Sequence, residues 1–412
     1  MELAFLAAYL CVLAATLTMS FVNLRHQRRE GRRVPPELSG VVEAERLARI
    51  EAYTVDRSRF GMLERAVSGL VTVVFLFAGP LGAYDRQSAR FGHSFVARGT
   101  AFMLGLVLLQ SLLGLPFSYY RSFVIEARHG FNRMSRGLFF GDFAKSLVLG
   151  LAFAFVLSVG AFWLVRRFAD SWWLWVWLAF AGFSLLVTFI SPYVIEPLFF
   201  RMEPLGVEGL EREVKELADR AGVHVGRVRK MDASRRSAHS NAYFTGLGRV
   251  KRVVLFDTLL EQMTHAEILA VLSHELGHWK KHHVLVRTVA GFVLSFCVAF
   301  VVFRVVGAPF VPALVGLPDA SFAARLVVLG VVGSLLGFPL TPLGSAWSRH
   351  DEWQADRFAV ELSACAPALA SALAKLSREN LANLHPHPLY AKFYYSHPPV
   401  TERIRRLREL PS

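Results

Sequence analysis

The stretch Ser273-His274-Glu275-Leu276-Gly277-His278-Trp279 carries two histidines four residues apart, with a glutamate directly after the first. On a helix residues four apart share one face, so both imidazoles can reach one metal ion. Glu275 would reach a metal-held water rather than the metal, and could take its proton. Two histidines leave a tetrahedral zinc one protein donor short, with the fourth position kept for water. His-Glu-x-x-His also arises by chance, so the reading needs a third ligand. In Ser348-Arg349-His350-Asp351-Glu352-Trp353-Gln354-Ala355-Asp356, Glu352 and Asp356 are again four apart. Glu352 can complete the ligand set, while Asp356 can hydrogen-bond a ligand histidine and fix its tautomer. The plain alternative for this pair is an acidic helix face.

A third cluster is Tyr394-Tyr395-Ser396-His397-Pro398-Pro399, followed by Arg403. Paired prolines stiffen the turn and could hold His397 where it stabilises an oxyanion. Alone, such a turn is more often an ordinary loop. Among the other histidines, His282 lies four beyond His278 and is the competing ligand. His265 and His283 flank the motif, and His239, His385 and His387 lie in polar loops; all five read as ordinary residues.

These groups must be held by elements of two kinds. Apolar residues make up 54% of 412 and charged ones 19%, and mean hydropathy is +0.39. The apolar residues fall in seven blocks, roughly 3–22, 66–84, 100–120, 145–165, 172–195, 284–306 and 323–345. About 20 helical residues cross a bilayer, and the blocks lack the alternation of a β-barrel. Trp172, Trp173, Trp175 and Trp177 begin the fifth block as an interfacial aromatic belt. The first block precedes Arg25, Arg28 and Arg29 instead of following its charges, so it reads as a retained span and not a signal peptide.

A net charge of +14 invites a nucleic-acid reading, but the charges are sided. Between spans, Arg86, Arg90, Arg98, Arg166 and Arg167 are the Lys and Arg of one set of loops; segments 23–65, 121–144, 196–283 and the tail hold nearly all the rest. That asymmetry places the N-terminus outside and the polar segments in the cytoplasm, with no nucleic acid needed. Cys11, Cys297 and Cys365 have neither disulfide nor metal-knuckle spacing and read as packing residues.

The chain thus divides into spans one to five (1–195), a soluble segment with the motif (196–283), spans six and seven (284–345) and a C-terminal segment with the third ligand (346–412). Within 196–283, Glu208–Ala221 reads as an amphipathic helix stopped by Gly222. Arg227–Met231, Ala242–Phe244 and Arg252–Phe256 read as short strands. Thr264-His265-Ala266-Glu267 is a capping box, and Ala266–Ala290, broken only by Gly277, can run as one helix into the sixth span.

Ordered among seven spans, these motifs resemble the integral-membrane CAAX prenyl protease 1 family, zinc metallopeptidases of the gluzincin type. The resemblance also rests on Ile125-Glu126 with His129-Gly130-Phe131-Asn132, on Ser240-Asn241-Ala242-Tyr243-Phe244, and on Val254-Leu255-Phe256-Asp257-Thr258-Leu259. It covers nearly the whole chain. It implies a mostly α fold: seven spans forming a helical barrel around a chamber, plus a cytoplasmic α+β zinc peptidase domain. It implies one zinc per chain on His274, His278 and Glu352, Glu275 as catalytic carboxylate, and Asp356, His397 and Arg403 as supports. Asn241 and Ala242 would be the edge strand on which a substrate peptide pairs. The substrate would be a peptide or protein, prenylated in that family, and the spans would meet membrane lipid.

The tail lacks a dilysine ending and loop 307–322 carries only Asp319 as a charge, which points to a bacterial plasma membrane; in a eukaryotic cell the endoplasmic reticulum is expected. The nearest rival is a quality-control metalloprotease acting on unprenylated membrane proteins. A site-2-type intramembrane protease lacks its Leu-Asp-Gly partner here. A transporter or receptor with a structural metal would not need Glu275.

Overall fold

The computed structural model describes residues 1–92, 94–245, 250–363 and 366–410; Cys365 lies outside them. Seven of its helices are long and apolar enough to cross a membrane: Glu2–Glu30, Ala44–Phe77, Phe95–Glu126, Arg136–Arg167, Trp172–Phe199, His283–Val305 and Phe322–Ser363. All seven expected spans are present. Several outrun their apolar blocks, because a helix satisfies its own backbone and can continue past the hydrocarbon. The 66–84 block is the exception. It breaks at Gly79, whose φ of +99° only glycine adopts cheaply, and Pro80 then opens a short separate helix, Pro80–Ser88.

Only 0 to 11% of each apolar window is buried within the protein. A solid bundle would cover the inward stripe of each helix; these helices instead stand in a ring around an open interior, a helical barrel. Large apolar side chains such as Val148, Phe189, Leu294 and Leu336 stand exposed along the spans, the kind of surface that lipid covers.

The polar segments form the α+β part. Strands β1 (Met202–Pro204), β2 (His224–Met231), β3 (Ala242–Thr245) and β4 (Val250–Phe256) make one sheet in the order β1-β2-β4-β3. Three of these were expected within a few residues; β1, with a proline in its three residues, carries too little pattern to read. The expected amphipathic helix is Leu210–Arg220, and Gly222 after it has a φ of +71°. Its Leu210, Val214 and Leu217 pack with Leu255 of β4 and with Leu272 and Leu276 of the motif helix. A second core joins Leu47, Ile50 and Tyr53 to Ile125, Leu369 and Ile404, tying the helices of two spans to the C-terminal helices.

The motif helix is His265–Lys280, and it does not continue into the sixth span. His282 adopts a left-handed conformation at φ +58°, and a new helix starts at His283. Histidine is one of the side chains that tolerates this region, so the sequence shows no glycine or proline to announce the break. The start, in contrast, is as read: Glu267 N–H donates to Thr264 Oγ1 at 3.3 Å, and Thr264 N–H to Glu267 Oε2 at 2.9 Å. Glu267 also accepts from Ser371 Oγ at 2.6 Å and from Lys375 Nζ at 2.7 Å.

Burial opposes ionisation of Glu267, but Lys375, Ser371 and Thr264 prevail and hold it at about 2 against an ordinary 4.5. A depressed carboxyl stabilises the fold fully above its unfolded value and loses that contribution as pH falls toward its folded value. Wild-type protein is therefore expected to lose thermal stability between about pH 5 and pH 2 more steeply than Glu267→Gln does. Melting curves of both proteins in detergent across that range check it; parallel curves would show that Glu267 does not anchor the motif helix.

Candidate active site

The motif helix crosses the helix Thr341–Ser363 at Gly277. A Cβ built on Gly277 would stand 2.9 Å from Ala355 Cα and 3.0 Å from its carbonyl oxygen, closer than real Cβ atoms come. Glycine at this position and a fully buried alanine opposite let the two backbones touch. One helix then presents His274 and His278 to Glu352 of the other.

His274 Nε2 and His278 Nε2 lie 3.2 Å apart. Glu352 brings Oε2 to 3.4 Å from His274 Nε2 and Oε1 to 3.3 Å from His278 Nε2. These three residues are the one metal-capable cluster found among the described residues, with donor atoms all within 4.8 Å of one another. For zinc with bonds of 2.0–2.1 Å, the edge of a coordination tetrahedron is about 3.3 Å. The three donors already stand at that spacing. Glu352 Oε2 is buried and makes no hydrogen bond of good geometry, although His397 Nδ1 is 2.8 Å away. A buried oxygen so placed suits a cation, and the donor set fits zinc.

Each histidine is wired from behind. His274 Nδ1 donates to Asp356 Oδ1 at 2.8 Å, leaving the Nε2 lone pair free. Arg403 Nη2 lies 3.3 Å from the same Nδ1, but the shorter contact fixes that nitrogen as the donor. Arg403 in turn clamps Asp356 with both ends, Nε to Oδ2 at 2.9 Å and Nη2 to Oδ1 at 2.6 Å, and all three side chains are buried. Burial and the Arg403 charge oppose protonation of His274, yet Asp356 and Glu352 push it up to about 9. The negative surroundings that favour an imidazolium equally favour a metal cation.

Behind His278 stands a residue that sequence reading passed over. His278 Nδ1 is 3.0 Å from Nδ1 of buried His283, whose Nε2 is 3.3 Å from Gln354 Oε1. Gln354 Nε2 donates to His350 Nε2 at 2.8 Å, and its Oε1 faces His283. The tautomers follow: His283 donates from Nε2, accepts at Nδ1, and leaves His278 protonated at Nδ1 with Nε2 open. His282, the expected competitor, is exposed on the left-handed turn. A signal for His283 existed only in the break that the sequence concealed.

Glu275 is half-buried and has no hydrogen-bond or ion-pair partner among the described residues. His397 is 63% exposed over Glu352, on the rim of a cavity of about 600 Å³ that Arg403, Asn241 and Tyr395 also line. β3 is a sheet edge. Asn241 accepts from Phe256 N–H, so residues 241 and 243 turn toward β4 while Ala242 and Phe244 present their backbone groups to the open side. The Ala242 amide meanwhile donates to Asn241 Oδ1 at 2.8 Å. Asn380, unremarked in the sequence, steadies the start of the strand: its Oδ1 accepts from Ser240 N–H at 3.1 Å.

A metal-capable His-His-Glu cluster beside a free carboxylate and an open strand edge, under a ring of membrane helices, defines a membrane metallopeptidase. Comparison with known proteins agrees. The CAAX prenyl protease N-terminal model, described by five membrane helices, matches residues 23–201, and that of peptidase family M48 matches residues 204–411. A CAAX prenyl protease 1 homolog of Oryza sativa subsp. japonica is 32% identical over all of this chain and 99% of its own length. The human CAAX prenyl protease 1 homolog is 31% identical, covering 92% of this chain and 89% of its own. The crystal structure of S. mikatae Ste24p superposes with a TM-score of 0.92 at 26% identity, over 98% of both chains. The chain belongs to peptidase family M48, in its membrane branch with the CAAX prenyl protease N-terminal region, and is a membrane zinc metalloendopeptidase.

Removing the imidazole behind a metal-binding histidine typically costs about 10–100-fold in metal affinity. His283→Ala is expected to weaken zinc binding in that range, and His282→Ala to leave it within about twofold. Competition with a zinc chelator measures both; the reverse order would reassign the two histidines.

Proposed function

We propose that this protein cleaves a peptide bond near the C-terminus of prenylated CAAX-type substrates, using His274, His278 and Glu352 for one zinc and Glu275 as general base. The observation that carries it is the spacing of the three donors beside the unpartnered Glu275 carboxylate. Zinc held there would polarise the scissile carbonyl and supply an activated water. Glu275 takes the proton of the attacking water and passes it toward the leaving amine. His397, exposed on the cavity rim, and Arg403 behind it donate toward the oxyanion. Asp356 keeps His274 in the tautomer that leaves Nε2 free. The substrate strand pairs with the open side of β3 at Ala242, displacing the Asn241 side chain from that amide. The likeness of this chain to proteins named CAAX prenyl protease over nearly full length favours the prenylated substrate class. The chain resides in a plasma membrane with the catalytic segments on the cytoplasmic side, where its basic loops lie; membrane lipid is its surrounding partner.

An amide cannot accept a proton as a carboxylate does. Glu275→Gln is expected to keep its zinc and melting temperature while turnover of a prenylated CAAX peptide falls by at least ~10²-fold. Turnover within tenfold of wild type would remove Glu275 from the base role, and equal cleavage of prenylated and unprenylated peptides would favour the quality-control reading.

Sidedness has its own measurement. Single cysteines placed in 307–322 and in 385–397 should react with an impermeant thiol reagent from opposite sides of the membrane. Labelling of both from the same face would contradict the seven-span orientation.

A further inference from the structure

Past the wall formed by Ser240, Asn241, Asn380 and Tyr395, the site's cavity adjoins a larger one of about 910 Å³. Its membrane-side lining includes one face of the helix Ala44–Phe77, on which Arg57, Gly61 and Arg65 recur at successive turns. A Cβ on Gly61 would meet nothing within 4 Å, so the space between the two arginines is clear. Both are oriented by neutral partners: Arg57 Nη1 donates to Tyr53 Oη at 3.3 Å, and Arg65 Nη1 to Ser20 Oγ at 2.7 Å.

Neither guanidinium has a carboxylate within ion-pairing distance among the described residues, while the acids around them are committed elsewhere. Asp56 is held by Arg128 and His129, Glu64 by Arg121, and Glu126 by Tyr53 and His239. Each exposed guanidinium presents a fork that grips both oxygens of a carboxylate or phosphate, and two of them on one cavity wall make that wall a receptor for an anion. The cavity shares Asn241 with the cleft under His397, so an extended peptide lying on the edge strand would deliver its end into it. A lipid headgroup carries the same oxyanion chemistry but would have no reason to meet the peptide-binding strand.

We propose that Arg57 and Arg65 receive the free α-carboxylate of the substrate, and so set how far from the chain end cleavage falls. The proposal deepens the peptidase reading above and rests on it. The test uses full-length zinc protein in nanodiscs and two prenylated peptides that differ only in a C-terminal acid or amide. Losing a charge-assisted pair is worth a factor of at least ~10, so kcat/KM should favour the acid by that much in wild type. In the double variant Arg57→Gln, Arg65→Gln the acid-to-amide ratio should fall to near one, and each single variant should lower it if the double variant does not fold. Equal kcat/KM for acid and amide in wild type overturns the proposal without any variant.

Binding of the same peptides to Glu275→Gln protein, by fluorescence anisotropy, decides the matter even if neither is cleaved. Tighter acid binding that needs the arginines sustains the carboxylate site although the cleavage reading has then failed. Equal binding, together with phosphatidylglycerol retained through purification by wild type and lost from the double variant, would assign the pair to a lipid headgroup and overturn it.

Discussion

Everything proposed for the site depends on one close contact, the backbone of Gly277 against that of Ala355. Two helices with ordinary side chains at the crossing stay about 8–10 Å apart between axes. The close approach here brings His274, His278 and Glu352 to donor spacings of 3.2 to 3.4 Å. Glycine removes the only side chain in the way, and the fully buried Ala355 fills what remains. The glycine inside the motif is therefore part of the metal geometry, although it touches no metal. Glycine costs a helix interior about 1 kcal/mol relative to alanine. The capping box and the four hydrogen bonds on Glu267 stabilise the same helix at its start, where the sequence could be read.

With the helices fixed, the donors need orientation, and two separate networks supply it. His274 leans on a buried Asp356–Arg403 pair, His278 on a neutral chain through His283, Gln354 and His350. The difference has a physical reason. Asp356, Glu352 and Arg403 bring two negative charges and one positive into a buried space, and a buried charge is tolerated only with partners. A second unpaired carboxylate behind His278 would add uncompensated negative charge to that space. Asp351 comes no closer to His283 than 3.9 Å and is taken by Arg287 at 2.6 Å.

The parts of this arrangement that were legible in the sequence are those with a short period. The seven spans showed as apolar blocks, the motif as a four-residue spacing, and the capping box as three residues in place. What stayed hidden depends on contacts between distant segments. Asn380 comes 140 residues after the Ser240 amide that it receives, so nothing local marks it. In the sequence His283 reads as a flanking residue, because no glycine or proline announces a turn at His282. Once the chain breaks there, the imbalance becomes clear: the residue four beyond His278 swings into solvent, and the residue five beyond comes to its side. Gly79 was similarly lost inside an apolar block, since hydropathy does not register a positive φ.

The ring of spans and the peptidase part are not independent modules. Tyr53 and Ile50 on the second span's helix share a core with Leu369 and Ile404, and the π-helical turn Arg121–Glu126 delivers Glu126 to Tyr53 and His239 beside the edge strand. Such wide turns recur at functional sites because they re-aim a side chain without ending the helix. Here the third span's helix ends against the residues that precede β3. An occupant of the edge strand would thus lie beside a cavity that residues of the first three spans also line, among them Asn23, Arg57 and Ser122. A sheet edge pairs with an extended segment, and a chain end can take that form without unfolding the domain around it.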